Sequence, residues 1–592
     1  MLSIQAQQTL SMYTRDGVRL DADVYFPTGP GPFPVLLMRQ PYGRAIASTI
    51  VYAHPRWYAA QGYIVAIQDV RGRGTSAGQF SLFAHEVSDG KDAIEWAAKI
   101  PGSDGQVAMY GFSYQGMTQL QAAQTAHPAL KTIVPAMTGY HLYEDWAYEN
   151  GALCFQLGLT WALQLAAQTA RIGGDSQTYQ KLVKAARDLP IAEAIPASPE
   201  VLAEVDTFFH DWVGASKRDR YWQRLTPQLD LVDLPMLHIG GWFDPYLRGD
   251  LRLYQEMAAR SQHLHHFWVG PWVHIPWSRK VGAVDFGPAA ASPIDRLQIQ
   301  WFDAILKGQG IDELQQSLPV HLFEMGRNQW RSLRAWPLVS QPPVESPVEP
   351  TAGPAAKPIA RLATPQLESK TKTYFLYSDG LANIREDSGV LLEAPIERLV
   401  ERPARRLQVD TLVHDPWNPC PAAGGHSSIP AGVFDRTSVD SRGDVLTYTS
   451  APLAEELRVV GVPNVEIAIA ASAPSYDFCA VLSRVINGKV YNLTQGYGRF
   501  WQLESQRSEG RSISLPLHPT CFNIFPGEAL RLSLSAACYP AFLVNPGTGT
   551  PIRESKAIDA QIITLTIALG DDVAKQRSGH CGARLRLPVV PD

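Results

Sequence analysis

The feature that most restricts this chain is a series of short, uninterrupted apolar runs divided by stretches of helical character. They lie at residues 35–38, 63–67, 107–110, 132–136, 235–239 and 266–269. A strand that is apolar on both sides of its pleat must be covered on both faces, which is the situation of parallel strands joined by helices. An α/β sheet with helices on both faces is therefore expected. Ahead of these runs, Val18, Leu20, Ala22, Val24 and Phe26 alternate with polar residues, the period of a half-buried strand, and P-T-G-P-G-P-F-P at 27–34 is a turn cluster.

Between about 140 and 230 the rhythm stops and the pattern is helical (151–170, 178–188, 199–213). An insertion in an α/β sheet that carries no strands of its own is most simply a cap over the site. The segment 293–308 then closes the α/β part as a helix, with Pro293 in its first turn and Gly308 as its stop. From Pro319 onward the pattern is β: Leu530, Leu532 and Leu534 alternate with Arg531, Ser533 and Ser535, and Asn487-Gly488 sits between two strand-like runs as a hairpin turn. Many short strands of this kind indicate a sandwich or jelly roll. Residues 337–365 hold eight prolines and read as an extended or disordered surface insertion. A chain of 592 residues has room for several such parts.

The strongest chemical signal is V-A-M-Y-G-F-S-Y-Q-G at 107–116, where an apolar strand runs through a glycine-flanked serine, Ser113, into a helix-compatible segment. That is the context of a nucleophile elbow, although the second glycine, Gly116, lies one place later than in the common G-x-S-x-G. A serine nucleophile needs a base, and the base a carboxylate to orient it. After the cap, one strand runs into G-G-W-F-D and places Asp244 past its end; thirty residues on, another runs into G-P-W-V-H and places His274 likewise. The order Ser, Asp, His and the placement of all three beyond strand ends predict a triad at the carboxyl edge of the sheet. The Tyr114 amide is one candidate donor to an oxyanion. The Tyr42 hydroxyl, in the loop after an earlier strand, is a second, with a core aromatic as its competing reading.

Taken together, R-Q-P-Y-G, D-V-R-G-R-G-T-S-A-G-Q-F (69–80), G-F-S-Y-Q-G, G-G-W-F-D, G-P-W-V-H and H-L-F-E-M-G-R-N-Q-W-R make the chain resemble the cocaine-esterase-like (CocE/NonD) hydrolases. These are relatives of the X-prolyl dipeptidyl peptidases and α-amino-acid ester hydrolases. The resemblance implies an α/β-hydrolase domain (1–140 and 230–316), a helical cap (141–229) and a C-terminal jelly-roll β domain of galactose-binding-like type (317–592). It implies Ser113 as nucleophile, His274 as general base and acid, Asp244 as orienter, and an oxyanion hole of the Tyr42 hydroxyl and Tyr114 amide. Trp146, Trp161 and Tyr246 resemble the aromatic residues of the substrate pocket. The α-amino-acid ester hydrolases place acidic residues two and three positions after the aspartate; here those positions are Tyr246 and Leu247, which weakens an amino-group specificity.

Other readings are set aside. A net charge of −5 gives no electrostatic reason to expect nucleic acid or anionic membrane. No apolar stretch reaches the length of a transmembrane helix, and the N-terminus lacks the basic and apolar regions of a signal peptide. Six scattered cysteines read as reduced thiols of a cytoplasmic protein. Gly72-Arg73-Gly74 lacks the third glycine of a nucleotide loop, and His263, His265 and His266 have no Cys or carboxylate at ligand spacing, so neither cofactor nor metal is expected. The expected function is a serine hydrolase acting on a small-molecule ester or amide, with homo-oligomerisation left open. An acylase or X-Pro-type aminopeptidase on the same triad, and a carbohydrate-binding jelly roll beside an inert α/β domain, are the rivals.

Overall fold

The computed structural model describes residues 1–47, 49–191, 199–336, 370–394, 409–502, 510–569 and 582–590. The proline-rich segment 337–365 and Cys581 lie outside the described residues.

Ten strands form the first sheet: β1 (Gln8–Tyr13), β2 (Arg19–Tyr25), β3 (Phe33–Gln40), β4 (Ile64–Asp69), β5 (Ser103–Phe112), β6 (Leu130–Ala136), β7 (Met236–Phe243), β8 (His265–Val273), β9 (Val320–Glu324) and β10 (Gln329–Leu333). Their spatial order is β1-β2-β4-β3-β5-β6-β7-β8-β9-β10. From β4 to β9 neighbours run parallel; β1 and β2 at one edge and β10 at the other are antiparallel. The apolar runs are buried along their length, as β4 and β7 illustrate. Strand β2, expected to be half-buried, is covered at six of its seven positions.

Two expectations are corrected. The β pattern was read from Pro319 onward and placed with the C-terminal domain, yet β9 pairs parallel with β8 through Phe267 and Val320, and β10 completes the hairpin on it. Both therefore extend the α/β sheet. The cap was expected to lack strands, but Tyr148–Glu149 and Ala152–Leu153 form a small antiparallel ribbon there. Its helices are as expected in place if not in length: Phe155–Ile172, Ser176–Arg187 and, for the segment 199–213, a short 3-10 turn followed by Phe208–Gly214.

Among the described residues, the C-terminal part is a thirteen-stranded, largely antiparallel sheet system of the jelly-roll class. Its longest hairpin, Ser475–Ile486 with Lys489–Trp501, turns at Asn487-Gly488, both with positive φ (52° and 74°), the conformation that such a two-residue turn requires. One apolar cluster joins the two sheets, running from Trp242, Phe243 and Phe267 to Leu446, Phe478 and Phe522. Backbone bonds also tie the cap to the β domain, from Phe155 to Ala541 and from Leu543 to Leu153.

Candidate active site

Four of the parallel strands deliver residues to one edge. Strand β5 ends at Phe112 and is followed by Ser113, whose φ of 60° marks the strained turn into helix α2, while helix α1 (Glu86–Ala98) precedes that strand. Helix α2 is Tyr114–Ala123. The turn is held from several sides: the Ser113 amide donates to the Ala136 carbonyl at 3.0 Å, and the Thr138 hydroxyl donates to the Ser113 carbonyl at 2.9 Å. Gly116 has no space for a side chain, since a Cβ there would sit 2.7 Å from Thr138 Cβ. That close approach accounts for a glycine at position 116.

Beyond β7, the Asp244 carboxylate is fully buried, and its Oδ2 meets His274 Nδ1 at 2.6 Å, His274 being the residue after β8. Its Oδ1 accepts the Tyr246 amide at 2.9 Å. The His274 ring lies 5.4 Å from that of Phe112, the neighbour of Ser113 in sequence, and 5.1 Å edge-on to Tyr246. The three predicted residues thus lie at one sheet edge, with the imidazole oriented through Nδ1.

Tyr42 follows β3, and Ser113 is among the polar neighbours of its hydroxyl. Its backbone amide donates to Gln40 Oε1 at 2.7 Å, and Gln40 Nε2 donates to Asp69 Oδ1 at 2.9 Å. Gly74, with φ of 56°, packs its backbone against that same Asp69 carboxylate, where any Cβ would overlap it. The loop that resembled a nucleotide motif is therefore part of the support beneath Tyr42. Burial pushes the Tyr42 phenol up to about 12, so it keeps its proton and is a donor at neutral pH. The Tyr114 amide heads α2, where no intrahelical acceptor exists.

Trp146, Trp161 and Tyr246, the expected pocket aromatics, pack together as one cluster. Trp146 stacks on Tyr246 at 4.4 Å and lies 5.3 Å from Trp161. Trp161, on helix α3 (Phe155–Ile172), also donates its indole N–H to the Tyr42 hydroxyl oxygen at 3.1 Å. The adjoining Arg73 is buried and has no carboxylate partner among the described residues, its guanidinium lying 3.7 Å over the Phe80 ring and bonding the Leu165 carbonyl at 3.1 Å; burial lowers it to about 10.

Several buried groups around the site escaped the sequence reading. Glu86 pairs with Arg39 at 2.6 Å and accepts the Tyr114 hydroxyl at 2.9 Å. Asp250, on helix α4 (Leu247–Arg260), accepts the Thr138 and Gly139 amides at 2.9 and 2.7 Å; burial and the neighbouring Asp244 charge push its carboxyl well above the usual range. From the β domain, the His518 ring approaches the Asp244 backbone carbonyl and stacks at 3.9 Å on His426. His426 Nε2 meets Glu149 of the cap at 2.8 Å, and Glu149 meets Arg248 of α4 at 2.8 Å. Only a pairing signal between residues more than 250 positions apart would have revealed that last cluster.

Two family models match the chain: X-Pro dipeptidyl-peptidase (S15 family) over residues 16–276, and X-Pro dipeptidyl-peptidase C-terminal non-catalytic domain over residues 313–570. Cocaine esterase of Rhodococcus sp. (strain MB1 Bresler) is 27% identical over 570 residues, covering 92% of each chain. Among solved structures, an aminopeptidase from the marine sediment archaeon Thaumarchaeota archaeon has a TM-score of 0.77 at 21% identity, covering 100% of this chain and 97% of that one. An α-amino acid ester hydrolase has a TM-score of 0.72 at 21% identity, covering 99% and 97%. These structural likenesses extend over the α/β part, the cap and the β domain alike, and show the shared fold.

Proposed function

The chain belongs to the cocaine-esterase-like serine hydrolases, relatives of the X-Pro dipeptidyl peptidases, and on that footing we propose that it hydrolyses small carboxylic esters through an acyl-enzyme on Ser113. The observation that carries this reading is the 2.6 Å bond between buried Asp244 and His274 at the sheet edge that also presents Ser113. Ser113 Oγ attacks the ester carbonyl while His274 takes its proton at Nε2. Asp244 holds the imidazole by Nδ1 and stabilises the imidazolium that forms. The oxyanion of the tetrahedral intermediate is held by the Tyr42 O–H and the Tyr114 N–H. His274 then protonates the leaving alcohol, and water repeats the sequence on the acyl-enzyme.

The wall of Trp146, Trp161 and Tyr246 supports an apolar acyl group, and an ester rather than an amino-terminal peptide is favoured by Tyr246 and Leu247, which offer no carboxylate to a substrate ammonium. No helix among the described residues is long and apolar enough to cross a membrane, and the five described cysteines are buried and unpaired, which suits a reducing compartment such as the cytoplasm.

The test is a fluorophosphonate probe read by intact mass, followed by kinetics on matched esters and amides. One adduct, lost in Ser113→Ala, and faster turnover of the ester are expected. Tyr42→Phe should lower kcat by about 10²–10³ with the protein still folded. Absence of an adduct on folded protein would refute the nucleophile assignment, and an unchanged kcat in Tyr42→Phe would remove Tyr42 from the oxyanion hole.

A further inference from the structure

Trp161 was read from the sequence as part of the pocket wall. Its geometry gives it a second role, one that rests on Tyr42 serving as an oxyanion donor. An indole N–H is a donor only, whereas a phenol has one proton to give and two lone pairs to receive with. With Trp161 Nε1 3.1 Å from the Tyr42 oxygen, one lone pair is occupied, and the phenolic proton cannot be directed at that side. Ser113 is also among the polar neighbours of the hydroxyl, and the carbonyl that Ser113 attacks would bring its developing oxyanion beside it. We propose that Trp161 is a positioning residue of the oxyanion hole, whose indole N–H orients the Tyr42 hydroxyl so that its proton points at the reacting carbonyl.

Both partners are built to hold that geometry. The Tyr42 backbone is fixed through Gln40 and Asp69 on the sheet side. The indole is packed among Phe208 at 4.7 Å, Trp146 at 5.3 Å and Trp212 at 5.9 Å. One helical turn after Trp161 on α3, the Leu165 carbonyl accepts Arg73 from the α/β domain at 3.1 Å, which fixes the helix against the sheet edge that carries Tyr42. A residue that only walled the acyl pocket would need the ring but not the N–H. The N–H is instead aimed at the one side chain of the oxyanion hole. The hole is then assembled from two parts of the molecule, with the sheet supplying the donor and the cap setting its direction.

The experiment separates the N–H from the ring. Trp161 is replaced by Phe and, by genetic incorporation, by 3-benzothienylalanine, in which sulfur takes the place of the indole N–H on an otherwise similar bicycle. Both are measured with a short-acyl ester in the Tyr42 and Tyr42→Phe backgrounds. With Tyr42 present, the benzothienyl protein should lose about 3- to 10-fold in kcat, the worth of one neutral hydrogen bond, at nearly unchanged KM. In the Tyr42→Phe background the same replacement should cost nothing further. Trp161→Phe should follow the same pattern in kcat, with an added change in KM from the smaller ring. Full kcat in the benzothienyl protein, or an equal loss in both backgrounds, would overturn the proposal while leaving the oxyanion role of Tyr42 standing. An unchanged kcat in Tyr42→Phe alone would overturn that role and the proposal with it.

Discussion

Glu149 offers the sharpest test of how the three parts are held together. Its side chain is 1% exposed and touches Arg248 on α4 and His426 of the β domain, each at 2.8 Å. Replacing it by Gln keeps the shape but leaves the Arg248 guanidinium without its anion and changes the acceptor that meets His426. Breaking a buried ion pair by removing one partner costs about 3–5 kcal/mol. Arg248 keeps 21% of its side chain exposed and so regains some hydration, which argues for the lower end of that range. At a urea m-value of about 3 kcal/mol/M, a loss of about 3 kcal/mol lowers the unfolding midpoint by about 1 M. Arg248→Met should cost a comparable amount, since it strands the carboxylate. The double variant should lose clearly less than the sum, because neither charge is then left alone. The acid dependence has a definite sign. Burial pushes the Glu149 carboxyl up, but Arg248 and His426 outweigh it and hold the net value below the usual one. A depressed carboxyl stabilises the fold above the unfolded value of about 4.3, and that contribution fades as pH falls through the folded value. The gap between wild type and Glu149→Gln should therefore be full at pH 7 and close in acid. Additive losses in the cycle, or a single variant unfolding at the wild-type midpoint, would refute the reasoning.

Asp250 behaves in the opposite sense. Its carboxyl is pushed up by burial and by Asp244, so its contribution is present in acid and declines as pH rises from the ordinary carboxylate value toward its folded one. Asp250→Asn should therefore keep the fold and gain in Tm relative to wild type as pH is raised from 4 to 8; a deficit that grows with pH would contradict the assignment. In Gly116→Ala, the new methyl is driven against Thr138, which holds the Ser113 carbonyl, so overpacking of about 1–3 kcal/mol should accompany a kcat loss approaching about 10²-fold. Wild-type fluorophosphonate labelling rates in that variant would show that the elbow tolerates the displacement.

The α/β sheet was legible because parallel strands buried on both faces leave a signal that depends only on their own residues. The elbow, and the aspartate and histidine past two strand ends, were legible for a related reason: each lies within a few residues of the strand that places it. Strands β9 and β10 were misassigned because local pattern identifies a strand but not its neighbour, and β9 finds β8 across a helical excursion of some fifty residues. Asp250 could not be told from the many acidic residues that open helices, since only the folded backbone brings the Thr138 and Gly139 amides to it. Trp161 was expected in the pocket from the resemblance, but an indole's packing and its hydrogen-bond partner are separate facts, and the resemblance spoke only to the first.

The interlock of cap and β domain also sets when the molecule is finished during synthesis. A ribosome releases the α/β strands first, and all three residues of the triad have emerged by His274. The groups that close over the cap and reach Asp244 come much later, with His426 and His518, and the backbone partners of Leu153 and Phe155 follow at Leu543 and Ala541. A nascent chain thus carries an assembled alphabet of catalytic residues well before it has the support that orders them. Hydrolytic activity in a translation time course should lag the appearance of residue 274 and rise with the emergence of the segment near 543.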